Sequence, residues 1–225
     1  KNENGDSGTN MKRQRNRARR SGEEEKVDND QNLGVTVHYG SDLINMPTIH
    51  ENSCFPRNCQ SDWALTKLPL VDNSVLKYLF MNVPGITSPM LYIGMMFSSF
   101  CWHVEDHYLY AINYLHFGGK KTWYGIPGHA AQKFESFMRQ YVPGLFNLNP
   151  KLLDCLITMV NPSLLRQNDI PIYRMIHEPG TFIVTFPRAF HAGFNHGFNI
   201  AESTNFATGD WLPWGYMSSD HYYLK

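Results

Sequence analysis

Cysteine is scarce in this chain. The four present, Cys54, Cys59, Cys101 and Cys155, form no CxxC pair, so the sequence predicts neither a disulfide framework nor a tetrahedral zinc site, and a reducing compartment fits. Long apolar runs are also missing, and nothing approaches the length of a membrane span. The first thirty or so residues are too charged for a secretory signal. These absences predict a soluble, intracellular protein. An excess of charge of one sign is lacking too: Lys plus Arg and Asp plus Glu stand at 20 each, so net charge argues neither for nor against a nucleic acid partner of the core. Asymmetry is confined to Met11–Arg20, MKRQRNRARR, with six basic residues, and to Glu23–Glu25 behind it.

What is present suits one globular domain, with 42% hydrophobic and 14% aromatic residues. The expected organisation is a disordered tail over 1–33, where almost nothing is apolar, a single domain over 34–217 and a C-terminal extension over 218–225. The basic run in the tail suits a nuclear localisation signal or a phosphate-touching arm, the only source of direct DNA contact, and equally a plain solvated tail.

The chain is organised around MLYIGMMFSSFCWHVEDHYLYAINYLHFGGKKTWYGIP, Met90–Pro127. In an extended strand, positions two apart share a face, so His103 and Glu105 reach one point in space. A second imidazole follows the apolar run TFIVTF at His191. Two His and one carboxylate make the facial set of non-haem Fe(II) oxygenases, which leaves positions open for a cosubstrate and oxygen. HxE alone is a weak signal. A site that holds a dicarboxylic cosubstrate also needs a fixed cation and an aromatic wall, and Lys121 and Phe100 suit those roles. Ten histidines are present. His196 competes with His191, because both lie in the segment FHAGFNHGF.

Secondary structure is legible in outline. Gly34–Asp42 alternates as a first strand, with Tyr39 as ordinary strand packing. Leu43–Lys67 is an irregular loop. Asn73–Val83 has helical spacing behind a capping Asn73, and Met90–Ser98 is an apolar strand carrying Tyr92. Tyr108–Phe117 and Lys121–Ile126 are two strands joined as a hairpin at Gly118-Gly119, which sets Asn113 and Lys121 on adjoining strands. Gly128–Val142 is an amphipathic helix, and Pro150–Val160 reads as helical as well. IPIYRMI, TFIVTF and GFNIAESTNF supply further strands, with Pro179-Gly180 turning between the first two. Many short strands with ligands on facing strands predict a mainly β fold with flanking helices, a double-stranded β-helix of the jelly-roll or cupin class.

FCWHVEDHYLYAINYLHFGGKKTWYGIP and FPRAFHAGFNHGFNIAESTNFATGDWLPWG resemble the two signature halves of the JmjC domain of histone lysine demethylases, over about Val35 to Gly215. The second half is similar to the trimethyl-lysine branch. SSFCWH and KTWYGIPGHAA are similar to the Jumonji/ARID branch and its plant relatives. The resemblance places His191, rather than His196, as the third ligand of Fe(II). It implies 2-oxoglutarate as cosubstrate, with Lys121 and Tyr39 on its far carboxylate, Phe100 as its aromatic wall, and Asn113 and Trp123 orienting it, and O2 as oxidant. It implies oxidation of a lysine N-methyl group, with release of formaldehyde and succinate. It further implies a methyl-lysine pocket of Tyr92, Ser203, Thr204 and Asn205, bordered by Asp42, with a methylated histone tail on chromatin in the nucleus as partner and no membrane.

Three features depart from that pattern. Ala111 stands where relatives often have serine, no cysteine follows Cys155 to build a zinc site beyond the barrel, and no JmjN-like segment precedes Val35; a fragment or a divergent member is expected. The alternatives are a protein side-chain hydroxylase of the same oxygenase class and a catalytically silent chromatin-binding module. Tyr92 and Ser203 to Asn205 weigh against the first, and the retained ligands and Lys121 against the second. A sugar-binding or storage cupin leaves Lys121 and Trp123 unexplained.

Overall fold

Strands of four to nine residues, punctuated by Gly and Pro, bury their apolar atoms by rolling into two sheets rather than by extending one. The computed structural model describes residues 36–44 and 63–223. Its strands are β1 (Gly40–Ile44), β2 (Met90–Gly94), β3 (Ser99–His103), β4 (Tyr110–Gly118), β5 (Lys121–Ile126), β6 (Tyr173–His177), β7 (Phe182–Thr185), β8 (Phe190–Asn195) and β9 (Asn199–Phe206). One sheet has the order β1-β2-β9-β4-β7 and the other β3-β8-β5-β6, with antiparallel pairing throughout. From β2 to β5 and again from β6 to β9 successive strands alternate between the sheets, as the jelly-roll expectation requires, while β1 pairs with β2 and β5 with β6 inside one sheet.

The larger apolar core lies outside the barrel. Trp102, Ile126, Phe190 and Ala192 project from the outer face of the four-stranded sheet onto Ala131, Phe134 and Met138 of helix α1 (Ala131–Tyr141). Phe146 of α2 (Pro143–Leu148) and Leu165 of α3 (Pro162–Gln167) complete the cluster. Phe134 meets Phe190 at 4.7 Å and Trp102 at 5.5 Å between ring centroids. Each such ring contributes about 1.5–3 kcal/mol through burial. Because this outer layer carries the hydrophobic stabilisation, the inner face is free to hold Lys121, His177, His191 and Asn195, all buried.

Several sequence expectations need correction. Gly118-Gly119 does not close a hairpin: β4 pairs with β9 and β7, β5 with β8 and β6. Gly118 has φ +98°, and a Cβ there would stand 2.3 Å from the Phe198 carbonyl oxygen. The two glycines let the chain cross between sheets against the Gly197-Phe198 backbone, so Asn113 and Lys121 lie in different sheets. Pro179-Gly180 makes the expected turn, with Thr181 N–H donating to the Glu178 carbonyl at 3.2 Å, but it too joins strands of different sheets.

Asn73–Val83 forms only a short 3-10 helix, Val75–Tyr78, capped by Ser74 rather than Asn73. Leu76 is the one buried apolar residue there, beside Leu109 and Ala207, while Leu79, Phe80 and Met81 are exposed. Without a surface to face, helical spacing lacks its driving force, and Pro84 biases Val83 toward extended backbone. Pro150–Val160 yields only a 3-10 turn, Leu152–Cys155. The apolar strand from Met90 breaks at Met95–Ser98 into β2 and β3, and the first strand begins at Gly40 rather than at Gly34. Residues 1–35, and with them the basic run, lie outside the described residues, as does most of the loop that carries Cys54 and Cys59. A helix α4 (Leu212–Tyr223) follows β9. Among the described residues no helix is long and apolar enough to cross a membrane.

Candidate metal centre

β3 and β8 pair so that His103 stands opposite His191, with ring centroids 4.1 Å apart. Glu105 lies just past the end of β3 at φ −67° and ψ 151°. The backbone stays extended there, and the two-residue alternation carries the carboxylate to the face of the imidazoles. His103 Nδ1–H donates to the Cys101 carbonyl at 2.7 Å, and His191 Nδ1–H to the Ala189 carbonyl at 3.0 Å. Both bonds reach back two residues and fix one tautomer, so that both Nε2 lone pairs are free to ligate. The Nε2 atoms of His191 and His103 lie 3.3 and 4.0 Å from Glu105 Oε1. All three ligand atoms fall within 4.8 Å of one another.

Protonation favours a cation here. Burial pushes the His103 imidazole down to about 4, and neighbouring His191 adds to that. Burial alone would raise the Glu105 carboxyl, but the His191 hydrogen bond and the charges of both histidines, with the Asn205 amide, bring it down to about 2. A neutral imidazole and an ionised carboxylate are the forms that bind metal. Two nitrogens and one carboxylate oxygen on one side of a cavity fit a six-coordinate Fe(II) with open positions.

The carboxylate is itself held. Asn205 on β9 donates through Nδ2 to Glu105 Oε2 at 2.9 Å and to the Tyr110 carbonyl at 3.1 Å. This role was missed in the sequence, which placed Asn205 on a substrate wall. Ser203 and Asn205 share the inner face, whereas Thr204 projects outward. It is buried opposite Ile112, and its Oγ1 donates to the Ile86 carbonyl at 3.4 Å. Thr204 therefore leaves the expected pocket, because strand parity admits only two of the three consecutive residues.

Trp123 stacks on His191 at 5.7 Å and 22°, and Phe100 packs on Trp123 at 4.7 Å. Phe100 lies over Gly193, where a Cβ would stand 2.5 Å from the ring. Beyond these rings is Lys121, 3% exposed. Its Nζ donates to the Tyr39 hydroxyl at 3.2 Å and lies 5.4 and 5.9 Å from the Tyr39 and Phe100 ring centroids. Burial lowers its ammonium to about 8 and raises the Tyr39 phenol to about 12, the latter tempered by a hydrogen bond with Asn195. Among the described residues no carboxylate pairs with Lys121. A buried cation without an anion is costly unless a ligand supplies one.

Across the cavity, Asn113 stands opposite Ser203, and its amide has no hydrogen-bond partner among the described residues. The Tyr92 hydroxyl donates to Asp42 Oδ1 at 3.1 Å. Burial raises that phenol strongly, against a hydrogen bond with Ser203. Asp42 takes φ +57° to present its carboxylate there. The structure thus gathers His103, Glu105, His191 and Asn205 as one group, Tyr39, Phe100, Lys121 and Trp123 as a second, and Tyr92 and Ser203 with Asp42 as a third.

Residues 90–206 match the family model of the JmjC domain, described as a hydroxylase. The chain is similar to "Lysine-specific demethylase JMJ17" of Arabidopsis thaliana, 47% identical over 206 residues, which cover 84% of this chain and 17% of the plant protein. It is similar to "Lysine-specific demethylase 5B" of Gallus gallus, 45% identical over 203 residues, which cover 84% of this chain and 13% of that protein. "Lysine-specific demethylase 5D" of Homo sapiens is 43% identical over 201 residues, with the same two coverages. The chain spans under a fifth of the length of each of these curated relatives.

Proposed function

The chain belongs to the JmjC domain family, and from that premise we propose that it is an Fe(II)- and 2-oxoglutarate-dependent demethylase of methylated lysine in a histone tail. The observation that carries this is the buried ammonium of Lys121, without a carboxylate partner among the described residues, on the inner face that also bears His191 and Trp123. A metal site alone suits many reactions. A metal site with a buried cation in the same cavity suits a cosubstrate that carries a keto acid at one end and a carboxylate at the other.

Fe(II), bound by His103, Glu105 and His191, supplies together with 2-oxoglutarate and O2 the oxidation of an N-methyl C–H bond. The chain's residues do the placing. The hydrogen bonds from His103 and His191 to backbone carbonyls keep both Nε2 atoms aimed inward, and Asn205 keeps the Glu105 carboxylate from turning away. Lys121 and Tyr39 receive the far carboxylate, Phe100 and Trp123 exclude water along the carbon chain, and Asn113 offers an amide to the near end. Tyr92, Ser203 and the Asp42 carboxylate form an oxygen-rich wall for a methylammonium, which attracts its charge without requiring an N–H donor from it. The hydroxylated methyl group then leaves the amine as formaldehyde, and chromatin in the nucleus is the setting in which that substrate occurs.

The test is succinate release from 2-oxoglutarate by protein supplied with Fe(II) and ascorbate. Release should require a methylated lysine peptide and vanish in His103→Ala and His191→Ala. Lys121→Met should weaken 2-oxoglutarate binding by roughly a hundredfold, the loss that accompanies truncation of one partner of a buried charge pair. Succinate release that ignores both histidine variants would refute the proposal.

A further inference from the structure

β6 is an edge strand whose residues are exposed except the last, His177, which is 1% exposed. Its register partner on β5 is Lys121. Residues paired across antiparallel strands project to the same face, so the imidazole shares the cavity wall with the Lys121 ammonium. The Trp123 ring meets it edge-on at 6.0 Å. The ring cannot turn away, because Nε2–H donates to the Thr181 carbonyl at 2.9 Å. The second nitrogen, Nδ1, is fully buried and has no hydrogen-bond partner among the described residues. A buried imidazole nitrogen without a partner, held in place by its other nitrogen beside an ammonium that meets no carboxylate among the described residues, marks a position that a ligand is meant to fill.

Resting on the cosubstrate reading above, we propose that His177 is a further cosubstrate-binding residue, whose Nδ1 takes one oxygen of the far carboxylate while Lys121 and Tyr39 take the other. With Nε2–H committed to Thr181, the neutral ring offers Nδ1 only as an acceptor, which a carboxylate oxygen cannot use. The contact therefore requires a proton on Nδ1. In the free protein burial disfavours that proton, and the Lys121 charge opposes it further. The titratable groups facing His177 are Lys121 from β5 and, behind it, Tyr39, which bonds Lys121. Neighbouring Glu178 is exposed and engaged with Lys120 at the surface. An arriving carboxylate offsets the Lys121 charge and accepts from Nδ1–H⁺, so binding draws one proton from solvent onto His177. By linkage, affinity for 2-oxoglutarate then rises as pH falls toward the depressed value of the free imidazole.

The experiment is titration calorimetry of 2-oxoglutarate into the full chain loaded with Mn(II), at pH 6.5, in buffers of differing ionisation enthalpy. It compares the native chain with His177→Gln and His177→Leu. The native chain should take up a fraction of a proton per ligand bound. His177→Gln, whose amide donates without titrating, should retain affinity within a few-fold and lose that proton uptake. His177→Leu should lose affinity by roughly tenfold, the worth of one charge-assisted hydrogen bond, and lose the uptake as well. Unchanged proton uptake in His177→Gln, or affinity in His177→Leu equal to that of the native chain, overturns the assignment and leaves His177 as a clasp on the turn at Thr181. If 2-oxoglutarate fails to bind the native chain at all, it is the cosubstrate reading that falls.

Discussion

At the scale of single residues, the centre depends on groups one step removed from the ligands. Asn205 is the clearest case, since its Nδ2 hydrogens divide between Glu105 and the Tyr110 carbonyl. Asn205→Leu should leave the carboxylate free to rotate and lower divalent metal affinity roughly tenfold or more, the usual cost of removing such support. Titration with Mn(II) followed by electron paramagnetic resonance checks this, and an unchanged affinity would show that the amide does not hold the ligand. The ionisations give a second expectation, for protein stripped of metal by chelation. His103 is held at about 4 against an ordinary 6.5, so the unfolded chain binds its proton first, and stability falls as pH drops from 6.5 toward 4. Glu105, at about 2 against 4.5, contributes stability that is present above 4.5 and lost as pH falls toward 2. Both act in one direction. The melting temperature of the stripped protein should decline steadily on acidification, and His103→Gln should flatten the decline between pH 6.5 and 4.

HxE and the distant imidazole were legible because strand alternation is local, and because Lys121 and Phe100 are residue types that a dicarboxylate demands. Three consecutive residues, Ser203 to Asn205, were assigned to one pocket on resemblance alone. Alternation lets only Ser203 and Asn205 face inward, but their parity needs the partner strands: Asn113 opposite Ser203, and Ile112 opposite Thr204. His177 carried no local signal at all, since its importance comes from standing across from Lys121 on a strand more than fifty residues away.

At the scale of elements, glycine sets the geometry. Gly193 on β8 lies under Phe100, and a Cβ there would stand 2.1 Å from the Thr122 carbonyl oxygen and 2.5 Å from the ring. Backbone cannot yield as a side chain can, so Gly193→Ala should cost about 3 kcal/mol or more, weaken the β5–β8 pairing and displace the aromatic wall. Urea unfolding measures the first effect and 2-oxoglutarate affinity the last; native values of both would remove Gly193 from this account. The strands themselves were legible from alternation and turn residues. Their partners were not, because a Gly-Gly or Pro-Gly step looks the same whether the chain returns beside itself or crosses to a facing sheet. The region over 73–83 failed for a different reason. Its apolar spacing is helical, but only Leu76, with Val75 half-buried beside it, found a core to enter.

At the scale of the whole molecule, the packing has an order that composition does not disclose. Trp102, Phe134, Phe190 and Leu165 gather outside the barrel, and the barrel interior holds imidazoles, amides and an ammonium beside the Phe100 and Trp123 rings. Such an interior is unfavourable in isolation, and the outer helical layer supplies the burial that offsets it. The double-stranded β-helix was legible from the number and shortness of the strands, while the position of the core was not. The most direct test of the account is mass spectrometry of a trimethyl-lysine histone peptide incubated with the protein, Fe(II), ascorbate and 2-oxoglutarate under air. The account predicts that the peptide loses methyl groups stepwise, with one formaldehyde and one succinate formed per methyl lost, and that His103→Ala does neither. A peptide that retains every methyl group, while a protein side chain gains and keeps an oxygen atom, would contradict it.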